Sequence, residues 1–244
     1  MVFDLNRIII GSLILIFCVI SFLFKFDYLF LVIISALSIY DLYKSNFIKK
    51  YFDFIFFILF VLSSYFIIIS DYYINYLNII LIFLTFFTLI KPNIYQKRLF
   101  LIIILLFLNN FYSIFLYNRN LLYFIVFISF YNDSFAYLFG KIIKGPLIIP
   151  SISPKKTWSG TIFSSLITCI TLYLLDYPLL ISIILSVSLF LGDIFFSYIK
   201  RINNLKDFSN ILKGHGGVLD RLDSMFFFII IINYYLWNHI SLKF

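Results

Sequence analysis

Apolar residues run along this chain in long blocks separated by short polar turns. The blocks are long enough for helices that cross a bilayer, since one span takes roughly 20 residues. They lie near residues 8–24, 28–43, 52–70, 74–90, 99–117, 121–139, 160–175, 178–199 and 225–240. The pattern predicts an all-α fold, a polytopic membrane bundle of about nine helices forming one domain over residues 1–244. Nine spans use about 180 residues and leave about 60 for every loop and both ends. That excludes an attached soluble catalytic domain, so any chemistry falls to span ends, short loops and polar groups within the bundle. One positive charge precedes the first block and no small-residue cleavage pattern follows it, so it reads as a retained anchor.

Composition supports the same class: 63% of the residues are hydrophobic and only 12% charged. Cys18 and Cys169 both sit inside apolar runs, where they read as small core residues and not as a disulfide. The net charge of +8 matters through its placement. With the N-terminus cytoplasmic, nine spans put Arg7, Lys44, Lys49, Lys50, Lys91, Lys97, Arg98, Lys141, Lys144, Lys155, Lys156, Lys200, Arg201, Lys206, Lys213 and Arg221 on that side. Only Lys25, Arg119 and Lys243 fall on the other. This basic excess is explained by topology and implies no nucleic-acid partner. The expected location is multi-pass in a bacterial-type inner membrane, with the chemistry on the cytoplasmic side.

The chain is uneven along its length. Residues 1–125 are mainly Ile, Leu, Phe and Tyr and read as scaffold spans, whereas seven of the eight glycines lie between Gly140 and Gly217. A catalytic region is therefore expected over residues 130–225. All eleven acidic residues are aspartates. Asp4, Asp27, Asp53, Asp71 and Asp176 fall at span ends or turns, where a solvated or capping role accounts for them. Asp41, near the end of the second span, is open between an interfacial role and a site role. Asp133 and Asp193 lie within or at the end of strongly apolar runs, where an ionised carboxylate is expensive without a partner, and that makes a functional role the default.

The densest chemistry lies before the last span. Ser197, Lys200, Arg201, Lys206 and Asp207 are followed by Gly214-His215-Gly216-Gly217, then Asp220, Arg221 and Asp223. Asp220 and Asp223 are three apart at the expected start of the last helix, which would put both carboxylates on one face. Two like charges that close need a cation. Mg²⁺, with its preference for oxygen ligands, water and phosphate, is the simplest choice. Asp193 can complete the acid cluster from the preceding span. The glycines leave backbone N–H groups able to face an anion, while Lys200, Arg201, Lys206 and Arg221 supply full charges to phosphate oxygens. The segment reads as a phosphate cradle beside a metal site.

Ser197 through Asp223 resembles the signature of the phosphatidate cytidylyltransferases, or CDP-diacylglycerol synthases: Ser, two residues, Lys-Arg, a spacer, Lys-Asp, Gly-His-Gly-Gly, two residues, Asp-Arg, one residue, Asp. Ser153-Pro154-Lys155-Lys156-Thr157-Trp158 with Gly160 resembles a second block of that family. Asn132-Asp133-Ser134-Phe135-Ala136-Tyr137 with Gly140 resembles a third. Together they cover roughly the C-terminal 100 residues. The chain departs from the family pattern at Ser159 and Phe196, where acids are common, and at Lys213, where Pro is common. A catalytic acid is therefore not expected at those two positions.

The resemblance implies a nucleotidyltransferase that joins CTP to phosphatidic acid, yielding CDP-diacylglycerol and pyrophosphate for phospholipid synthesis. It implies Mg²⁺, leaves open a second, monovalent cation, and leaves open a homodimer. On this reading Asp193, Asp220 and Asp223 hold the metal, and Lys206 with Gly214, His215, Gly216 and Gly217 holds the triphosphate. Lys155, Lys156, Lys200 and Arg201 engage lipid or nucleotide phosphates, with Ser197, Asp207, Arg221 and Asp133 also placed in the substrate site. A cavity open sideways to lipid would leave the acyl chains among the bilayer tails, so little chain-length selectivity is expected. Two other classes share parts of the pattern. CTP-dependent polyprenol or dolichol kinases can carry fragments of the late motif, and a proton-coupled transporter could use the intramembrane Asp133 and Asp193. Transporters tend to show polar features in both halves of an internal repeat, and here they occupy one half.

Overall fold

The computed structural model describes residues 16–48, 81–82, 84–85, 96–212 and 216–241. The expected span near 52–70, most of that near 74–90 and the start of that near 8–24 lie outside the described residues. Residues 16–24 are helical and are followed by α1 (Asp27–Lys44), α2 (Gln96–Tyr117) and α3 (Arg119–Ile143). A hairpin of β1 (Leu147–Ile149) and β2 (Ser153–Thr157) leads into α4 (Trp158–Leu174) and α5 (Leu179–Ile202). The single turn α6 (Leu219–Leu222) then precedes α7 (Met225–Ser241).

The protein is thus mostly helical. Among the described residues, three stretches are long and apolar enough to cross a membrane: Lys97–Phe115, Arg119–Ile143 and Leu179–Ile202. Trp158–Leu174 and Met225–Leu236 are shorter apolar helices. The hairpin is the one sheet among the described residues, and the apolar pattern did not anticipate it. Pro146, Pro150 and Pro154 explain it, because proline has no N–H to donate and its ring clashes with a preceding helical turn. The chain there pairs antiparallel, Leu147 with Thr157 and Ile149 with Ser153. Pro154 is tolerated because a two-stranded ribbon has only edges.

The chain divides into two compact units, Met1–Arg119 with Asn204–Leu222, and Asn120–Asn203 with Asp223–Phe244. In the first, α1 begins with Asp27 and ends with Lys44, each sign matched to its end of the helix dipole. Asp27 is held by Arg119, whose Nε lies 3.0 Å from Oδ2. A buried aromatic group ties the segment after α5 into this unit. Phe208 stacks on Phe100 at 5.7 Å and meets Phe47 at 6.0 Å.

In the second unit α5 packs on both α4 and α7. Thr157 caps α4 by accepting the Gly160 N–H at 3.2 Å. Small residues set the approach of α3 and α4: a Cβ at Gly160 would collide with the Ala136 carbonyl oxygen and come within 3.1 Å of the Gly140 Cα. Buried polar pairs add direction to the apolar packing. Thr168 donates to Asn132 at 3.2 Å, and the Ser129 and Ser224 hydroxyls lie 2.6 Å apart.

Because the obstruction at Gly160 is backbone, Gly160→Ala forces the two helices apart and should cost about 1–3 kcal/mol, as overpacked cores do. Thermal unfolding in detergent should show a lowered midpoint for Gly160→Ala, and a Thr161→Ala control should stay within about 0.5 kcal/mol of the parent.

Candidate active site

The second unit gathers a charged cluster around one face of α5. Asp193, Ser197 and Lys200 stand at successive turns of this helix, four and three residues apart, so they share a face. Ser197 donates its hydroxyl to Asp193 Oδ1 at 3.2 Å. On Oδ2 of the same carboxylate, Lys156 of β2 forms an ion pair, with its ammonium also 5.7 Å from the centre of the Phe190 ring. Lys200 pairs with Asp223 at 3.6 Å and lies within electrostatic reach of Asp193. Arg201 donates to the Ile152 carbonyl at 3.0 Å, linking the end of α5 to the hairpin.

Gly192 explains how Asp223 comes so near. A Cβ at this position would strike the Asp223 carbonyl oxygen and lie 2.9 Å from that of Ser224. Only glycine lets α5 touch that backbone. The chain was expected to run as one helix through Asp220 and Asp223. Instead it breaks at Asp223–Ser224, between α6 and α7. There the Asp223 carboxylate accepts the Ser224 N–H at 2.9 Å, a local bond that competes with helix continuation.

Asp220 belongs to the first unit and has a different environment. Its Oδ2 accepts the Gly217 N–H at 2.8 Å and the Phe208 N–H at 3.0 Å. The Gly217 amide is therefore directed at a side chain of the chain itself. Gly216 adopts a φ of +79°, and a Cβ there would lie 2.6 Å from Asp220 Oδ2. Both the turn and the close approach require glycine.

Asp41 joins the same loop from α1, a contact the sequence did not disclose. Its Oδ1 accepts the Ser209 hydroxyl at 2.5 Å and its Oδ2 the Leu219 N–H at 2.8 Å.

The remaining expected residues are placed as follows. Lys206 is exposed, while Asp207 and Arg221 are half-buried in the same unit as Asp220. Lys155 is exposed on β2, and Asp133 is exposed on α3 beside the buried Asn132. Gly214 and His215, with Lys213, lie outside the described residues.

In the second unit, then, Lys156, Asp193, Ser197, Lys200 and Asp223 are brought together. In the first, Asp220 and the Gly216–Gly217 turn are brought together with Asp41. Among the described residues no group of three His, Cys, Asp or Glu side chains is arranged to hold a metal ion. Sequence reasoning left Asp41 open between an interfacial and a site role, and it missed Ser209 and Gly192. Gly192 left a signal, since a glycine directly before an acid inside an apolar run marks a close backbone approach. The partner of Asp41 lies 168 residues away in the chain, and no local pattern reveals it.

A model of the cytidylyltransferase family matches residues 5–239. A phosphatidate cytidylyltransferase of Rickettsia bellii is 42% identical over a 109-residue alignment that covers 38% of this chain and 47% of the relative. One from Staphylococcus aureus (strain COL) is 41% identical over 116 residues, covering 43% of this chain and 45% of the relative. The alignments thus span about half the length of the curated relatives. With the family match running almost end to end, and the aligned relatives carrying cytidylyltransferase names, this chain belongs to the cytidylyltransferase family.

Proposed function

We propose that the protein is a phosphatidate cytidylyltransferase, converting CTP and phosphatidic acid to CDP-diacylglycerol and pyrophosphate. The observation that carries this reading is the pairing of Asp193 with Lys156 and of Asp223 with Lys200. It joins the second block and the late signature of the sequence in one cluster of acids and ammonium groups. In the reaction a phosphate oxygen of the lipid bonds to the α-phosphorus of CTP, and the bond from that phosphorus to the β-phosphate oxygen breaks. The lipid phosphate is itself an anionic nucleophile near neutral pH, so no strong general base is needed. The difficulty is the repulsion between two polyanions, and fixed cationic side chains that hold the reacting atoms in line reduce it.

The roles follow the signature. Lys206 and the Gly214–Gly217 turn hold the triphosphate, and His215 serves as a phosphate hydrogen-bond donor. Lys155, Lys156, Lys200 and Arg201 meet lipid or nucleotide phosphates, and Ser197 orients Asp193. Asp133, Asp207 and Arg221 complete the substrate site. Asp193, Asp220 and Asp223 are assigned to Mg²⁺, with a monovalent cation as a possible companion. Carboxylates are oxygen donors of the kind Mg²⁺ takes, and Asp193 and Asp223 of the second unit each already hold a cationic partner, so the chemistry of those two fits that ion. Bound there, Mg²⁺ would supply charge neutralisation for the triphosphate and the departing pyrophosphate.

We place the protein in a bacterial-type inner membrane as a single domain of about nine spans. The N-terminus and the active site face the cytoplasm, following the split of basic residues. A homodimer is compatible with this arrangement.

Purified protein in mixed micelles with labelled CTP, phosphatidate and Mg²⁺ should form CDP-lipid and release pyrophosphate. Release of CDP would identify a kinase instead. Asp220→Asn, Asp193→Asn and Asp223→Asn should each lower turnover by about a hundredfold or more, in line with loss of a group that stabilises transferring charge. A variant turning over normally would remove its residue from the site. Phosphatidates of different chain length at equal surface density should be used at rates within about threefold of each other, because the acyl tails would stay in the bilayer and exchange one lipid contact for another. The two lysines should also differ. The side chains of Lys200 and Asp223 are 8% and 9% exposed, against 27% and 22% for Lys156 and Asp193. Lys200→Met, which takes the ammonium partner from a buried carboxylate, should cost about 3–5 kcal/mol of stability, while Lys156→Met should cost about 1 kcal/mol. Unfolding in detergent measures both.

A further inference from the structure

Asp41 is wholly buried on α1, with 0% of its surface exposed, and among the described residues no lysine or arginine pairs with it. A carboxylate in so apolar a helix is expensive and has to be compensated. Among the described residues, its hydrogen-bond donors come from the late segment of the chain. Ser209 donates to one oxygen at 2.5 Å and the Leu219 N–H to the other at 2.8 Å. Those two donors bracket residues 210–218, the stretch that contains the Gly-His-Gly-Gly sequence. The two oxygens of one rigid carboxylate therefore fix the two ends of that loop.

The contact is built into the loop itself. A Cβ at Gly217 would collide with the Asp41 carboxylate, so the glycine makes room for this acid as well as shaping the turn. Asp220 closes the loop a second time, from within, through Phe208 and Gly217. Ser209 gives a further bond to the loop, accepting the Ile211 N–H at 3.3 Å.

We infer that Asp41 is a positioning residue for the nucleotide: it holds Ser209 and Leu219, on either side of the Gly-His-Gly-Gly sequence, and seats Gly217 against itself, so that these anchor points are in place when the triphosphate of CTP binds. This rests on the assignment of that loop to CTP in the proposed reaction. Anchor points that are already held lose little freedom on binding, so the clamp acts on nucleotide affinity and not on the rate of the bound complex. Asp41 touches neither substrate in this account. Its oxygens are occupied by the loop.

The test compares Asp41→Asn with Ser209→Ala, and uses Asp27→Asn as control. Asp27 is a second buried carboxylate on the same helix, but its partner is Arg119. In Asp41→Asn one oxygen becomes an NH₂ group, which cannot accept both donors. Ser209→Ala removes a single bond and leaves α1 unaltered, so it decides the matter if the Asp41 variant fails to fold. For the clamp variants the KM for CTP should rise about tenfold or more, with kcat within about threefold and the KM for phosphatidate within about twofold of the parent. Amide hydrogen exchange over residues 208–219 should accelerate in the same variants, and Asp27→Asn should change neither quantity. An unchanged KM for CTP, an equal effect of all three substitutions, or unchanged loop exchange would each overturn the inference. If the parent protein forms no CDP-lipid at all, the reaction assignment fails by itself. Exchange then still decides whether Asp41 holds the loop.

Discussion

A negative charge inside an apolar helical bundle must be compensated by the chain itself, and much of this structure follows from how its buried and half-buried aspartates meet that demand. Two solutions occur. Asp193 and Asp223 take ammonium groups, from Lys156 and Lys200, and Asp27 takes the guanidinium of Arg119. Asp41 and Asp220 take backbone N–H groups, with a serine hydroxyl added for Asp41. The difference has a chemical consequence. A lysine on a flexible stem can move aside and let another cation take its place. A backbone amide is fixed by the fold, so a carboxylate bound to it defines a shape. Asp193 and Asp223 are suited to exchanging charged partners, and Asp41 to holding Ser209, Leu219 and the Gly217 turn in place.

That division assigns the glycines a more definite role than their backbone freedom alone implied. From the sequence, the Gly216–Gly217 turn reads as amides available to an anion. In the structure, Gly217 turns its amide to Asp220 and its missing side chain makes space for Asp41. Gly192 likewise makes space for the Asp223 backbone. In each case the absent Cβ lets an aspartate, or its backbone, come where it is needed. Steric and electrostatic requirements thus fall on neighbouring positions of the sequence, and this is why glycines and acids cluster in the same part of the chain.

What could be read in advance followed from the range of the interactions involved. Helices show in the apolar blocks because burial in lipid demands long uninterrupted stretches, and α2, α3 and α5 lie where the blocks near 99–117, 121–139 and 178–199 put them. The pairing of Ser197 with Asp193 is a four-residue spacing on one helix and is equally local. The hairpin was less legible: apolar content dominated the reading and three prolines decided the structure. The break at Asp223–Ser224 also escaped a periodicity argument, since it depends on Gly192, some thirty positions earlier, accepting the turn. The link from Asp41 to Ser209 lay beyond reach for the same reason. A carboxylate near the end of an early span has the same local pattern whether it meets water or a loop formed 168 residues later.

Lys156 and Lys200 show why a sufficient explanation can still be incomplete. Both belong to the basic excess from which the sequence reading takes a membrane orientation, and on that reading topology alone would account for their presence. Topology, however, asks only that positive charge be near a span end, and any lysine in that stretch would serve. It does not ask that Lys200 be buried to 6% exposure against Asp223, nor that Lys156 leave β2 to reach a carboxylate on α5. Burying an ammonium group costs several kcal/mol before its partner repays it, so a lysine that serves orientation alone would stay in water. The cost is incurred here at two positions, both against acids of the same cluster. Lys155, adjacent in sequence and exposed, is the contrasting case. It satisfies the orientation rule without paying desolvation, and its neighbour does not, so the placement of Lys156 answers to the carboxylate and only incidentally to the membrane.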